Sequence, residues 1–294
     1  MPTQAPPKTT ITKIEKRSNI SQKELIAEFI EPSVPVVLTA DATRDWKAIG
    51  KITPEFFRKN YAHFSKVFNG VKYTMSEYVD RMMTSTPEDP APYPFNFNIN
   101  KCPELMNDIR PEIIYGKSDR VNNPLLPKSM LRGTTVYEFF LGGNGSSFPF
   151  LHVDALFLHT QITQIYGSKE FILYPPEQTP YMYPRPDNAK ISQINTLAPD
   201  YQKFPLFKEA KPMKILVEQG ETILFPTKWW HTTRIHEPCI SLGRVQLNAA
   251  NWNDFTQDNL RSWKKQMSVF SVIPLMYAKT LGHALNVWEK SRRY

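Results

Sequence analysis

Between residues 134 and 251 the chain alternates short apolar, β-branched runs with turn residues: TTVYEFFLGG, FPFLHVD, LHTQITQIYG, KEFILYPP, MKILVEQGETILFP, TTRIHE and ISLGRVQLNAAN. Short strands at this spacing, punctuated by Gly, Pro and Asn, predict an antiparallel sandwich or small barrel. The flanks carry a helical period. Ser21 with Glu24 forms a capping box before a short helix through Phe29, and PVVLTA (35–40) is a β-branched strand. Thr53 and Pro54 supply the N-cap and first position of a helix to about His63, and Thr74 with Glu77 caps another through Met83. After Trp252 the helical spacing returns, with Trp263, Met267, Phe270 and Val272, then Leu281, Leu285, Val287 and Trp288.

These patterns divide the chain into four parts. Residues 1–19 are polar and aperiodic and read as a flexible arm. Residues 20–130 form a helical N-terminal region whose Pro- and Asn-rich loops, TSTPEDPAPYPF and RVNNPLLP, are suited to framing a site. Residues 131–255 hold the strands, and 256–294 form a C-terminal helical region whose apolar faces suit the core or a homodimer contact. The fold class expected is mainly β with flanking helices.

Composition narrows this picture only a little. With 41% hydrophobic and 13% aromatic residues, the 294 residues can bury a full core. The net charge of +8 is compatible with an acidic partner or nucleic acid, yet no basic run interleaved with aromatics accompanies it. Cys102 and Cys239 form no CxxC pair, so they read as buried thiols of a reducing compartment. The N-terminus has no apolar signal core, and VFSVIPLMYA is too short and Pro-broken to span a bilayer. The expectation is a soluble cytoplasmic protein, with the nucleus left open.

One apolar segment, residues 150–178, carries His152, Asp154, His159 and Lys169, side chains that are costly to desolvate. On a strand, residues i and i+2 share a face, so His152 and Asp154 present an imidazole and a carboxylate together. His231, in ETILFPTKWWHTTRIH, stands at the mouth of a later strand and offers a third donor. Two histidines and a carboxylate leave an Fe(II) open positions, whereas a zinc hydrolase site would add a glutamate base that is not evident near His231. Lys169 opens KEFILYPP in an apolar setting, and a buried lysine needs a partner such as the far carboxylate of a dicarboxylate. His159 and His236 read as core or rim histidines.

HVD, then IYGSKEFILYPPEQTPYMYP, then GETILFPTKWWH, in that order, resemble the JmjC/cupin-like family of Fe(II)- and 2-oxoglutarate-dependent oxygenases. The small hydroxylase branch, which includes the asparaginyl hydroxylase acting on hypoxia-inducible factor, is the most similar, and VPVVLTADATRDWKAIGKITPEFFRKNYA resembles that branch's lead-in. The resemblance implies a double-stranded β-helix (jelly-roll) core with iron on His152, Asp154 and His231. It places Lys169 on the distal carboxylate of 2-oxoglutarate, with Thr160 and Asn248 near the co-substrate. It also implies dioxygen as oxidant, succinate as product, and a homodimer through the C-terminal helices. Departures exist: Pro149 stands where a hydroxyl is expected, so Ser146 or Ser147 is the substitute, and Tyr93 is the candidate for the tyrosine assisting the lysine. The substrate expected is a protein side chain, the alternatives being a small molecule, a modified tRNA base, or a cupin-like binding protein without catalysis.

Overall fold

The computed structural model describes residues 13–113, 120, 123–126, 128, 130–131, 133–134, 136–264 and 272–293. Most of the 1–19 arm lies outside these residues, as do Met267 and Phe270 of the expected helical stripe. The arm's boundary at residue 19 is corrected: β1 (Glu15–Arg17) pairs in parallel with β2 (Val36–Leu38), and Lys16 binds Glu221. Three charged residues in a row hid this strand, because its backbone partner rather than an apolar period holds it.

The N-terminal region follows its capping signals. The Ser21–Glu24 box opens α1 (Gln22–Leu25), which continues as a π-helical turn, Ile26–Ile30. A short, kinked α2 (Ala48–Lys51) precedes α3 (Pro54–Asn60), where the Thr53 hydroxyl accepts from the Phe56 amide. Between them and α4 (Met75–Met83) lies a hairpin not foreseen above, β3 (Ser65–Phe68) and β4 (Val71–Thr74). Asn69 and Gly70 turn it with φ of 49° and 83°, the left-handed pair that a two-residue hairpin turn requires.

The β domain is two sheets face to face. The larger has the order β1-β2-β10-β7-β12-β6-β5, using β5 (Phe95–Asn98), β6 (Tyr137–Gly142), β7 (His159–Tyr166), β10 (Thr222–Phe225) and β12 (Cys239–Gln246). The smaller has the order β11-β8-β9, from β8 (Lys169–Tyr174), β9 (Met213–Val217) and β11 (Trp230–Arg234). FPFLHVD, expected as a strand, contributes only bridges at His152, since Pro149 has no N–H to give a ladder. β5 escaped the sequence reading because it follows the Pro-rich stretch TSTPEDPAPYP, although Phe-Asn-Phe-Asn alternates.

Four apolar clusters fix this arrangement. Leu25, Phe57, Tyr78 and Met82 of the N-terminal helices cover Phe139, Leu141, Ile165 and Leu242 on the outer face of the large sheet. Val37, Ile223 and Phe225 meet Phe171, Leu173 and Trp229 between the sheets and close one end of the sandwich. The segment carrying Met182, Ile194, Phe204 and Phe207 packs on Ile172, Tyr174 and Trp230 behind the small sheet. At the other edge α5 (Trp252–Lys264) and α6 (Val272–Arg293) bring Trp252, Phe255 and Ala278 onto Leu158 and Leu247. No described helix is long and apolar enough to cross a membrane.

Candidate metal and co-substrate site

The two-sheet packing leaves a cavity of about 280 Å³ between the sheets, beside the Trp229 cluster, with which it shares Phe171. Its floor is the inner face of the large sheet, with Thr160 and Ile162 from β7, Gly243 and Val245 from β12, Glu138 and Phe140 from β6, and Asn96 from β5. Its roof is Lys169 and Phe171 from β8 and His231 and Thr233 from β11, with Phe148, His152 and Asp154 entering from the segment before β7.

His152 and His231 face each other as one antiparallel pair. The His152 amide donates to the His231 carbonyl at 3.0 Å, and the His231 amide donates back at 2.8 Å. Both side chains therefore leave the backbone on the same side, and Asp154, held in an extended conformation two residues on, joins them. Trp229 and Trp230, each 1% exposed, anchor the start of β11 just before His231 in two different apolar clusters, their indole N–H groups donating to the Ser33 carbonyl at 3.0 Å and to the Thr179 hydroxyl at 2.9 Å.

The donor atoms of the three side chains lie within 4.8 Å of one another. A carbonyl only accepts, so the contacts of His231 Nδ1 to the Trp229 carbonyl (3.1 Å) and of His152 Nδ1 to the Phe150 carbonyl (3.3 Å) put each ring's proton on Nδ1. Both Nε2 atoms then point at Asp154, at 3.6 Å and 3.7 Å from its oxygens. Those separations are too long for hydrogen bonds. Burial and the neighbouring His152 push His231 down to about 4, so its imidazole is neutral at pH 7. Burial acts to raise the Asp154 carboxyl, but His231, His152 and the Thr160 hydroxyl outweigh it and hold it well below the usual range. Two imidazoles and a carboxylate converging on one point form a donor set that a divalent cation fits, with backbone carbonyls as the outer support.

Lys169 faces the same cavity at 2% exposure. Its ammonium donates to the Tyr93 hydroxyl at 3.0 Å and to the Ser241 hydroxyl, which donates on to Gln164 Oε1 at 2.8 Å. Burial opposes its charge, Tyr93 offsets this, and the net direction is upward. Among the described residues it forms no ion pair. A buried cation without a carboxylate, turned to a cavity, fits an anionic ligand.

The other candidate residues divide. Tyr93 stands on Lys169 as expected. Thr160 lines the cavity, and its hydroxyl donates to Asp154 Oδ2. Asn248 does not line the cavity: it lies beyond the end of β12, where its side chain accepts from the Ala250 amide at 2.8 Å and closes a turn. Ser146 and Ser147 are also absent from the wall, their hydroxyls donating to the carbonyls of Ala91 and Phe148. His159 is a core histidine, accepting from the Thr227 amide at 3.1 Å and pushed down to about 4 by burial. His236 is exposed and stands 3.5 Å from Glu170. Both cysteines are buried and free. Ser241 was missed, although in ISLGRVQL it shares the inward face with Gly243 and Val245 and is the polar member of that face.

Comparison with known proteins agrees with this architecture. The chain matches the cupin-like domain family over residues 55–244, well over half its length. JmjC domain-containing protein 8 of Mus musculus is 27% identical over 235 residues, which cover 75% of this chain and 77% of that protein. HSPB1-associated protein 1 of Rattus norvegicus is 27% identical over 148 residues, 49% of this chain but only 29% of that longer protein. Lysine-specific demethylase JMJ30 of Arabidopsis thaliana is 26% identical over 246 residues, 76% of this chain and 52% of that one. A two-sheet core with its histidine–aspartate–histidine cluster at one end, and a matching span of 190 residues counted from 55 to 244, make this chain a member of the cupin-like, JmjC-related family.

Proposed function

We propose that this chain is an Fe(II)- and 2-oxoglutarate-dependent oxygenase that hydroxylates a C–H bond of a protein side chain. The observation that carries the reading is one cavity holding both the His152, Asp154 and His231 donor set and the buried Lys169 ammonium, which makes no ion pair among the described residues. His152, Asp154 and His231 would hold the metal and Lys169 the co-substrate, and the bound pair would let dioxygen, the oxidant, place one oxygen atom in 2-oxoglutarate as it becomes succinate and carbon dioxide and the other in the substrate C–H bond.

The chain's own groups bind, orient and exclude water. His152 and His231 offer Nε2, and Asp154 is kept ionised and rotationally fixed by Thr160. Lys169 and Tyr93 receive the far carboxylate, and Ser241, braced on Gln164, holds the ammonium in place. Phe140, Phe148, Phe171, Ile162 and Val245 make the remaining wall apolar, which strengthens the charge pairing inside. A protein substrate is favoured by the printed names of two relatives, one an associate of HSPB1 and one a lysine-specific demethylase. The Pro-rich stretch that ends in Tyr93 and Pro94 forms part of the wall, as a loop framing a peptide would. The outward stripe of α6, with Ile273, Met276, Tyr277 and Val287 exposed, is read as the contact of a homodimer.

The test is succinate formation by anaerobically purified protein supplied with Fe(II), 2-oxoglutarate and air. Wild type is expected to form succinate and Asp154→Ala to form none. Equal succinate from both proteins contradicts the assignment of the donor set.

A further inference from the structure

The side chains lining the cavity that carry charge toward it are Asp154, Lys169 and Glu138. Arg244 borders the cavity, but alternation with Gly243 and Val245 turns its guanidinium to the opposite face. There it lies 4.7 Å over the Tyr137 ring and 3.3 Å from Glu112. On the oxygenase reading, the metal answers Asp154 and the far carboxylate of the co-substrate answers Lys169. Glu138 is answered by neither: Lys66 acts on it at a distance across the Asn96 amide, and among the described residues the two form no direct ion pair.

Glu138 is also held in a defined pose. Asn96 Nδ2 donates to Glu138 Oε1, while Asn96 Oδ1 accepts from the Lys66 ammonium, which donates as well to the Pro94 carbonyl at 2.6 Å. An ammonium has only donors, so it forbids the flipped amide and keeps the Asn96 N–H on Glu138. The second carboxylate oxygen, Oε2, has no protein donor among the described residues. Across the sheet Glu138 faces Gly243, and Gly243 faces Ile162, so the floor beside the carboxylate carries no side chain at the middle strand. A Cβ at Gly243 would stand 2.7 Å from the Phe140 ring, so only glycine lets that ring lie across the floor. Two strand spacings, about 10 Å, separate the Glu138 strand from β7, where Thr160 touches Asp154. A carboxylate therefore stands at one end of an apolar floor whose other end is the donor set.

We propose that Glu138, presented by Asn96, is the specificity-determining residue of this cavity, and that the substrate group entering it is cationic: the ammonium or guanidinium of a lysine or arginine side chain in a peptide. This inference rests on the oxygenase reading. An extended basic side chain can lay its methylenes along Phe140 and Val245 while its charged head meets the carboxylate, a charge-assisted hydrogen bond in a dry setting.

The experiment uses the full chain loaded with Mn(II) and 2-oxoglutarate, and the peptides Gly-Gly-X-Gly-Gly in which X is lysine, arginine, norleucine or glutamate. Relaxation of the peptide protons by the bound Mn(II) reports both affinity and proximity to the metal. The lysine or arginine peptide is expected to bind at least tenfold more tightly than the norleucine peptide. Glu138→Gln is expected to erase that preference, and Glu138→Lys to transfer it to the glutamate peptide. Circular dichroism on each variant establishes that it is folded, and the wild-type peptide comparison decides the matter where a variant is not. Equal or undetectable binding of the basic and norleucine peptides to loaded wild type overturns the proposal and leaves the oxygenase reading standing. Failure of wild type to take up Mn(II) and 2-oxoglutarate, read before any peptide is added, overturns both.

Discussion

Replacing Lys169 with methionine separates a structural lysine from a ligand-binding one. The side chain is 2% exposed and of similar length, so Lys169→Met fills nearly the same space. It removes hydrogen bonds to Tyr93 and Ser241, each worth about 1.5–3 kcal/mol when the donor is charged. It also removes the burial of an ammonium without a carboxylate, a penalty of about several kcal/mol, so the two changes nearly cancel. The unliganded variant should melt within about 4 °C of wild type. With Mn(II) and 2-oxoglutarate at about 100 times its dissociation constant, wild type should gain about 2.7 kcal/mol, or about 5–10 °C in Tm. The variant should gain less than about 0.5 kcal/mol, because leaving a buried carboxylate unpaired costs about 3–5 kcal/mol, about a 100- to 5,000-fold loss of affinity. Differential scanning fluorimetry with and without the co-substrate reads both quantities. The reasoning is refuted if Lys169→Met melts more than about 10 °C below wild type while wild type shows no shift with 2-oxoglutarate, for the lysine would then be serving the fold alone.

Other regions of the molecule give independent tests. His159, held neutral by burial, titrates at about 4 when folded and at an ordinary 6.5 when unfolded, so the unfolded chain binds the extra proton between those values. Stability should fall by about 3 kcal/mol on acidification through that window and be unaffected above it, and urea unfolding at pH 7 and pH 4.5 should show a smaller loss in His159→Gln. Gly282 of α6 lies against Trp252, and a Cβ there would come within 1.7 Å of the indole nitrogen. Gly282→Ala should therefore lower stability by about 1–3 kcal/mol, although helix propensity alone predicts a gain of about 1 kcal/mol, and thermal unfolding gives the sign. If α6 joins two copies, light scattering should report twice the chain mass for wild type and the chain mass for Ile273→Asp/Met276→Asp; a monomeric wild type removes the dimer.

What the sequence disclosed depended on whether a residue's role was local. The capping boxes at Ser21 and Thr74 and the Thr53–Pro54 start are short-range devices, and the helices begin where they indicate. The long strands β7, β8 and β12 were legible because both sheet faces impose their period. β1 was not, since Glu15, Lys16 and Arg17 are held by pairing with β2 and by Glu221 rather than by burial. The Asn69–Gly70 hairpin and the Phe-Asn-Phe-Asn alternation of β5 carried readable signals that went unused. In the site, His152, Asp154, His231 and Lys169 come together as their spacing and family pattern suggested. Ser241 and Glu138 emerge only when β12 is laid beside β6 and opposite β8, and Asn248 falls outside because it lies past the end of β12 and out of step with the inward positions 241, 243 and 245.

The central claim is that the three-ligand cluster and Lys169 form one site for a metal and 2-oxoglutarate. Calorimetric titration of 2-oxoglutarate into the anaerobic protein, with and without Fe(II), tests it most directly. The account predicts one equivalent bound per chain in the presence of Fe(II), markedly weaker binding without it, and loss of the metal-dependent part in Asp154→Ala. Binding of equal strength with and without Fe(II), or no binding in either case, contradicts it.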